Sequence, residues 1–285
     1  MVLFLGIDGG GTRCSAALAD ERGQILAQAD GGPANITSDP ETALQNILNV
    51  ANTAMAKAFD TADRNNKAPD VYVAMGLAGA SIPDSVARLR AGLPFENLQI
   101  VTDGITALKG ALHDEDGIVA AIGTGSVFAR QRNRIVHEIG GRGLVFGDEG
   151  SGAWLGRALL AECLRAIDGL SVLTPLLRST IAECGGLERI ITFGTSASAA
   201  DFAKYATRII QSTDPAAQSL MRRAEADINA AIEVLQTDPA LPVVFLGGIG
   251  QVIAPRFADK WAIHLPRGSA LDGAIWLARK MKSAE

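Results

Sequence analysis

Short apolar runs that end in glycine dominate the first part of the chain. Apolar residues 2–5 and 16–18 flank the segment GIDGGGTR at positions 6–13, which predicts two strands joined by a glycine turn. The strands predicted in this part cover residues 2–5, 16–19, 23–29, 71–77 and 98–102. The predicted helices cover residues 39–59, 83–92 and 104–112. This order, β-β-β-α-β-α-β-α, indicates an α/β fold with a mixed sheet covered by helices.

The strand–glycine turn–strand pattern begins again after residue 116, beyond the predicted helix at 104–112. A polar stretch at 60–69 lies within the first part. Apolar residues 118–122, the turn GTGS at 123–126 and the strand predicted over residues 127–130 indicate a second hairpin of the same kind. A glycine-rich loop over residues 140–152 then leads into a helical section. The elements predicted there are helices over residues 153–167, 199–211 and 214–236, a buried strand over 243–246, a glycine turn over 247–250 and a last helix over about 270–282.

Composition excludes several classes of function. The chain has 285 residues, of which 48% are hydrophobic and 20% charged, a composition typical of a folded protein long enough for two domains. A net charge of −5 without a basic block argues against nucleic-acid binding and against docking on an anionic membrane. The three cysteines form no CxxC pair, which argues against a disulfide framework, a zinc site or an iron–sulfur cluster. With no apolar run of membrane-spanning length and no signal-peptide pattern, the cytoplasm is the expected location.

The glycine turns are the strongest candidates for chemistry. Consecutive glycines let several backbone N–H groups point at one anion, phosphate above all. Asp8 precedes the first turn, and a carboxylate beside a phosphate cradle indicates an intervening cation such as Mg²⁺. The alternative is an ordinary glycine-rich hairpin. The GTGS turn offers a second cradle, and the turn at 247–250 could let an aromatic ring lie on bare backbone.

Two acidic segments could act on a substrate bound beside these turns. Asp103 ends a predicted strand and begins a helix, where it could accept the proton of an attacking hydroxyl or simply cap the helix. Asp148 and Glu149 also precede a helix, an ordinary position for acidic residues. The glycines that surround them at 140, 141, 143, 147, 150 and 152 indicate a loop that closes against a small polar ligand.

These motifs together resemble the actin-like ATPase superfamily of sugar kinases, and more narrowly the N-acetylglucosamine kinase group of the BadF/BadG/BcrA/BcrD ATPase family. The resemblance covers nearly the whole chain. It implies two ribonuclease-H-like domains with an interdomain cleft that holds ATP and Mg²⁺. Residues 1–112 and a C-terminal helix over about 268–285 would form the N-terminal ATPase and sugar-binding domain, and residues 113–267 the C-terminal nucleotide-binding domain. A homodimer is implied as well.

The resemblance also implies roles for single residues. Asp103, in a Thr-Asp segment, would be the catalytic base and a metal ligand, and Asp8 would hold Mg²⁺ through water. The residues expected to contact the nucleotide and its phosphates are Gly9, Gly10, Gly11, Thr12, Arg13, Gly123, Thr124, Gly125, Ser126, Gly247, Gly248 and Gly250. The residues expected to contact the sugar are Asn35, Gly79, Gly141, Gly143, Asp148 and Glu149.

These roles favour a kinase that uses ATP to phosphorylate an amino sugar, with N-acetylglucosamine converted to its 6-phosphate. Glucosamine and glucose remain alternative acceptors, since Arg142 stands in the glycine loop where an N-acetylglucosamine kinase of this group has a tryptophan. Related proteins use ATP to activate a dehydratase partner, but they carry an iron–sulfur cluster held by cysteines. A third reading is a sugar sensor without catalytic activity, against which the intact Asp8, Asp103 and glycine motifs argue.

Overall fold

The computed structural model describes residues 2–59 and 70–283. The predicted polar stretch at 60–69 and the last two residues of the predicted C-terminal segment lie outside the described residues. The chain divides into two compact units. Unit 1 comprises Met1–Val119, Ala129–Glu138 and His264–Glu285, and unit 2 comprises Ala120–Phe128 and Ile139–Ile263. The domain limits expected from the sequence stay a prediction.

The first part of the chain has the predicted order of elements. It contains β1 (Val2–Gly9), β2 (Cys14–Ala19), β3 (Ile25–Gly31), α1 (Pro40–Phe59), β4 (Asp70–Leu77), α2 (Pro83–Ala91), β5 (Asn97–Thr102) and α3 (Asp103–Leu112). The five strands form one sheet in the order β3-β2-β1-β4-β5. β1 pairs antiparallel with β2 and parallel with β4, and β4 pairs parallel with β5. The predicted mixed sheet is therefore confirmed.

The second part repeats this plan with additional helices. Its elements are β6 (Gly117–Ile122), β7 (Ser126–Arg132), β8 (Ile135–Gly140), α4 (Gly152–Ile167), α5 (Pro175–Cys184), α6 (Leu187–Ser196), α7 (Ala199–Ala203), α8 (Ala206–Ile210), α9 (Pro215–Leu235), β9 (Val243–Leu246), α10 (Gly247–Ile253), β10 (Ile263–His264) and α11 (Ala270–Ser283). Its sheet has the order β10-β9-β6-β7-β8. Read from β8, this is the strand order of the first sheet, so the repeat extends from the predicted hairpin to a whole sheet.

Three local predictions differ from the structure. The helix expected over residues 199–211 is two helices, because the N–H of Tyr205 bonds to the carbonyl of Phe202 at 3.1 Å and tightens the chain into a turn. The glycine turn expected at 247–250 is the first turn of α10. Strand β8 was not predicted, since its alternating, half-exposed residues form no continuous apolar run. Among the described residues, no helix is long and apolar enough to cross a membrane.

The core of unit 1 lies on both faces of its sheet, because successive side chains of a strand point to opposite faces. Leu5 and Ile7 pack in the cluster that contains Ile47 of α1, whereas Phe4 packs with Ile275 of α11. A Cβ built on Gly6 would lie 2.7 Å from Cγ1 of Ile275. Glycine at position 6 therefore lets α11 approach the backbone of β1.

Candidate active site

The candidate residues of unit 1 lie along one edge of its sheet. In the registers of the three parallel strands, Gly9 is opposite Leu77 and Leu77 is opposite Thr102. The carboxyl ends of β1, β4 and β5 therefore meet at the same edge, where ligands bind in open α/β sheets. Asp8 and Asp103 stand at this edge, two strands apart.

The glycine turn after β1 is held by backbone hydrogen bonds. The N–H of Gly10 donates to the carbonyl of Arg13 at 2.9 Å, and the carbonyl of Gly10 accepts from Ala34 at 2.9 Å. A Cβ on Gly9 would meet Leu77 and Ala34 at 2.7 and 2.9 Å, so packing requires that glycine. A Cβ on Gly11, in contrast, would have no described atom within 4 Å. The bare backbone at Gly11 is therefore not explained by packing and leaves room for a ligand.

Thr12 and Arg13 complete this turn and are exposed. Burial raises the pKa of Asp8, and the positive charge of Arg13 partly opposes that shift. A partly buried carboxylate beside the glycine turn suits a divalent cation. Among the described residues, no group of three His, Cys, Asp or Glu side chains could hold a metal ion. A magnesium ion here would take one or two carboxylates from the protein, the usual arrangement at sites that bind nucleotide phosphates.

Asn35 and Gly79 are brought against the same edge. The N–H of Ile36 donates to the carbonyl of Ala78 at 3.1 Å, which ties the loop of Asn35 to the end of β4. Oδ1 of Asn35 accepts hydrogen bonds from the N–H groups of Thr37 and Ser38 at 3.0 and 3.1 Å. The amide oxygen of Asn35 therefore shapes the loop, and its amide nitrogen is the group left for a ligand. Gly79 has a φ of +88°, a conformation that favours glycine.

Asp103 is the first residue of α3 but not its cap. Thr102 is the N-cap, and its Oγ1 accepts a hydrogen bond from the N–H of Ile105 at 3.3 Å. The alternative that Asp103 is the N-cap of the helix is therefore wrong, although its Oδ1 accepts a hydrogen bond from the N–H of Gly104 at 3.0 Å. Burial raises the pKa of Asp103 to about 6, the negative charges of Asp8 and Glu138 add to the shift, and the N–H groups of Gly104 and Asp103 oppose it. A carboxylate with a raised pKa is a better proton acceptor near neutral pH.

Glu138 is a residue of this edge that the sequence did not single out. It lies in β8, and its Oε2 accepts a hydrogen bond of 2.6 Å from Oγ1 of Thr102. Glu138 is 36 residues from Thr102 and stands in no recognisable motif. Only the pairing of distant segments in the fold could have revealed it.

The GTGS loop of unit 2 is tied to the start of α4. The N–H groups of Gly152 and Ala153 donate to the carbonyls of Gly123 and Thr124 at 2.9 and 3.0 Å. Ser126 is only 5% exposed, and its hydroxyl donates to the carbonyl of Glu149 at 2.9 Å. This hydroxyl is thus engaged within the protein. A contact of Ser126 with phosphate stays a prediction.

Asp148 lies beside the same loop. It is 8% exposed and has a φ of +58°, which is uncommon for a residue other than glycine. Burial raises the pKa of Asp148, the backbone N–H groups of Ser126 and Gly143 oppose that shift, and Glu149 adds to it. These interactions hold the carboxylate between the GTGS loop and the glycine loop that follows β8.

The glycine loop has an unusual backbone. Gly141 and Gly143 have φ values of +65° and +79°, and the N–H of Gly141 donates to the carbonyl of Ser126 at 3.0 Å. Arg142 and Glu149 are both exposed. A Cβ built on Gly147 would lie 3.3 Å from Cβ of Arg142 and 3.6 Å from Oε2 of Glu149. The loop therefore presents one positive and one negative side chain close together.

The glycines that follow β9 differ in access. Gly247 and Gly248 are exposed, whereas Gly250 is buried in α10. Gly247 has a φ of +80°, and a Cβ there would collide with the carbonyl oxygen of Ile122. A flat ring could therefore reach bare backbone at Gly247 and Gly248. Gly250 is buried, and its contact with the nucleotide stays a prediction.

A family model settles the class of protein that these features belong to. The model of the BadF/BadG/BcrA/BcrD ATPase family matches residues 5–254. The chain belongs to this family. Membership of an ATPase family implies that the protein uses ATP.

Individual relatives match over nearly the full length. The glucosamine kinase GspK of Vibrio cholerae is 28% identical over 98% of this chain and 97% of its own. The crystal structure of a candidate N-acetylglucosamine kinase from Chromobacterium violaceum has a TM-score of 0.87 at 30% identity, covering 98% of this chain and 99% of the other. A glucokinase of the ROK family from Streptomyces griseus, solved with glucose and AMPPNP, has a TM-score of 0.53 at 19% identity over 99% of each chain. The expected sugar-kinase fold is thus confirmed.

Proposed function

We propose that this protein is an ATP-dependent kinase that transfers the γ-phosphoryl group of ATP to a hydroxyl of an amino sugar. The favoured acceptor is the 6-hydroxyl of N-acetylglucosamine. Its family, and relatives that are named as amino-sugar kinases over nearly the whole chain, support this activity. The observation that carries the mechanism is Asp103, a carboxylate whose pKa is raised to about 6 at the carboxyl edge of the sheet.

In the proposed reaction Asp103 accepts the proton of the attacking sugar hydroxyl. The hydroxyl oxygen forms a bond to the γ-phosphorus, the bond from that phosphorus to the β,γ-bridging oxygen breaks, and ADP leaves. General-base assistance contributes typically about 10²–10⁴-fold to the rate. Positioning and charge neutralisation supply most of the remainder in phosphoryl transfer.

The other residues bind and orient the two substrates. The backbone N–H of Gly11 with the Thr12 hydroxyl, and the N–H groups of Thr124 and Gly125, would hold the phosphates. The N–H groups of Gly10 and Gly123 are engaged within their own turns. Bound Mg²⁺ would neutralise phosphate charge, with Asp8 contacting it through water and Asp103 nearby. Gly247 and Gly248 would receive the adenine. We assign Arg13 to the phosphates because it is the exposed cation of the first turn.

Sugar-binding residues are proposed in each unit separately. Asn35 offers its amide nitrogen and Gly79 lies against it, while Asp148 would accept hydrogen bonds from sugar hydroxyls. Gly141, Gly143 and Glu149 belong to the loop that would border the substituent at the 2-position. The positive charge of Arg142 on that loop would disfavour a cationic 2-amino group, but it does not distinguish a neutral N-acetyl group from a hydroxyl.

Glucosamine is the second candidate acceptor. The Vibrio cholerae relative named as a glucosamine kinase matches over nearly its full length, and the carboxylate of Glu149 near Arg142 could accommodate an ammonium group. The dehydratase-activator alternative fits less well. Cys14 and Cys163 are buried, whereas a cluster shared between two subunits requires accessible cysteine ligands. A cytoplasmic location and a homodimer stay proposals.

The test is sugar-dependent release of ADP from Mg-ATP. We expect N-acetylglucosamine to stimulate release strongly, and glucosamine, glucose and N-acetylmannosamine to stimulate it less. Stronger stimulation by glucosamine would move the assignment to the second candidate. Slow hydrolysis that is indifferent to every sugar would overturn the kinase proposal.

A further inference from the structure

Glu138 connects strand β8 to the helix that carries Asp103. Its Oε2 accepts a hydrogen bond of 2.6 Å from Oγ1 of Thr102. A hydroxyl-to-carboxylate bond of this length belongs to the short, charge-assisted class, which is about twice as strong as a neutral one. Thr102 immediately precedes Asp103, so the bond ends one residue from the proposed base.

The Thr102 hydroxyl has two tasks at once. It donates its one hydrogen to Glu138, and its oxygen accepts from the N–H of Ile105 at 3.3 Å. A hydroxyl has one donor and two acceptor positions, so both bonds can form together. Glu138 therefore fixes the rotamer of Thr102 in the orientation that caps the first turn of α3.

The first turn of α3 in turn orients Asp103. The carbonyl of Asp103 accepts from Oγ1 of Thr106 at 3.0 Å, and its Oδ1 accepts from the N–H of Gly104 at 3.0 Å. The direction of the carboxylate thus depends on the backbone of this turn. A rotated cap would move the turn and, with it, the remaining oxygen of Asp103.

A negatively charged Glu138 near Asp103 costs electrostatic free energy, so a carboxylate at position 138 needs an explanation. The negative charges of Glu138 and Asp8 both raise the pKa of Asp103, because like charges at short range repel. A neutral side chain could have accepted the hydrogen bond from Thr102 without that repulsion. The strength of the charged hydrogen bond is what the carboxylate adds at this place.

We propose that Glu138 is a positioning residue for phosphoryl transfer, which holds the Thr102 hydroxyl and thereby sets the direction of the Asp103 carboxylate. This inference rests on the proposed kinase function. A misplacement of about 1 Å at a reacting group can cost about 10²-fold in rate. Loss of Glu138 should therefore reduce kcat while substrate binding remains.

The test is a double-mutant cycle on Glu138 and Thr102. Glu138→Ala and Thr102→Val should each lower kcat by about 10-fold or more, with the KM values for sugar and ATP little changed. The double variant should be no worse than the more damaging single variant, because the two side chains act as one unit. Thr102→Ser keeps the hydroxyl and should recover most of kcat. Glu138→Gln keeps only a neutral acceptor, so its kcat should lie between those of Glu138→Ala and wild type. His137→Ala, at an exposed neighbour on β8, is the matched control and should behave as wild type.

Three outcomes would overturn the inference. Additive losses in the cycle would show that the two residues act independently. A raised KM for the sugar with kcat unchanged would make Glu138 a substrate contact. Wild-type kcat in Glu138→Ala, even with a lower melting temperature, would leave it a purely structural role.

Failure of the proposed function is distinguishable from these outcomes. If the wild-type protein releases no ADP with any sugar, the kinase proposal fails. Amide hydrogen exchange at Ile105 then tests the inference separately. We expect faster exchange in Glu138→Ala than in wild type or His137→Ala. Unchanged exchange would contradict the inference that Glu138 holds Thr102 in its capping orientation.

Discussion

Asp148 and Gly125 are in close contact in unit 2. A Cβ built on Gly125 would lie 2.9 Å from Oδ2 of Asp148, a distance at which one group must shift. Asp148, which is proposed to bind the sugar, therefore packs directly against the loop that is proposed to bind phosphate. The two loops that would serve different substrates form one packed arrangement.

This contact predicts different effects for two substitutions in the same loop. Gly125→Ala should displace the Asp148 carboxylate and raise the KM for the sugar by about 10-fold, equivalent to about 1.4 kcal/mol. Gly123→Ala is the matched control, since a Cβ at Gly123 would have no described atom within 4 Å. It should leave the KM for the sugar unchanged and weaken ATP binding. Steady-state kinetics with each substrate varied in turn checks this, and equal KM values for the sugar in both variants would contradict it.

Alanine substitutions at Gly6 of β1 and at Gly11 of the first glycine turn should have different effects on protein stability and ATP binding. Gly11→Ala places its methyl group in open space, so the free energy of unfolding should change by less than about 0.5 kcal/mol while ATP binding weakens. Gly6→Ala would push a methyl group into Ile275 and should cost about 1–3 kcal/mol of stability. Denaturant unfolding and ATP titration of both variants provide the comparison. Strong destabilisation by Gly11→Ala would show that this glycine serves the fold.

The raised pKa of Asp103 predicts how activity depends on pH. The deprotonated carboxylate is the active form, so activity is present above the pKa of about 6 and is lost as the pH falls through it. Below that pH, kcat/KM for the sugar should fall by about tenfold per unit, because it reports the free enzyme. A pH profile between 5 and 9 measures this. Full activity persisting at pH 5 would exclude a base with this pKa.

Much of the fold could be predicted because its signals are local. Apolar runs that end in glycine predicted β1, β4 and β6, and the repeated pattern predicted a second copy of the opening hairpin. Only the structure shows that the whole second sheet has the strand order of the first. β8 was missed because its exposed and half-buried residues alternate and give only a weak signal. The break between α7 and α8 was missed because hydrogen bonding at Phe202, not residue type, ends the first helix.

The candidate site was predictable where a residue type and its turn define the chemistry. Asp8, Asp103 and the bare backbone at Gly11 follow from such patterns. The capping role of Thr102 and the engagement of the Ser126 hydroxyl with Glu149 depend on which groups face each other in the fold. Glu138 depends on the pairing of segments far apart in sequence, which no motif in a single sequence records.

The central claim is that Asp103 is the base of an amino-sugar kinase, and Asp103→Asn tests it most directly. The matched control is Asp84→Asn, which changes an exposed aspartate in the first turn of α2. With N-acetylglucosamine and Mg-ATP, we expect Asp103→Asn to lower kcat by at least about 10²-fold, while ATP still binds and Asp84→Asn behaves as wild type. Turnover at the wild-type rate in Asp103→Asn would contradict the account.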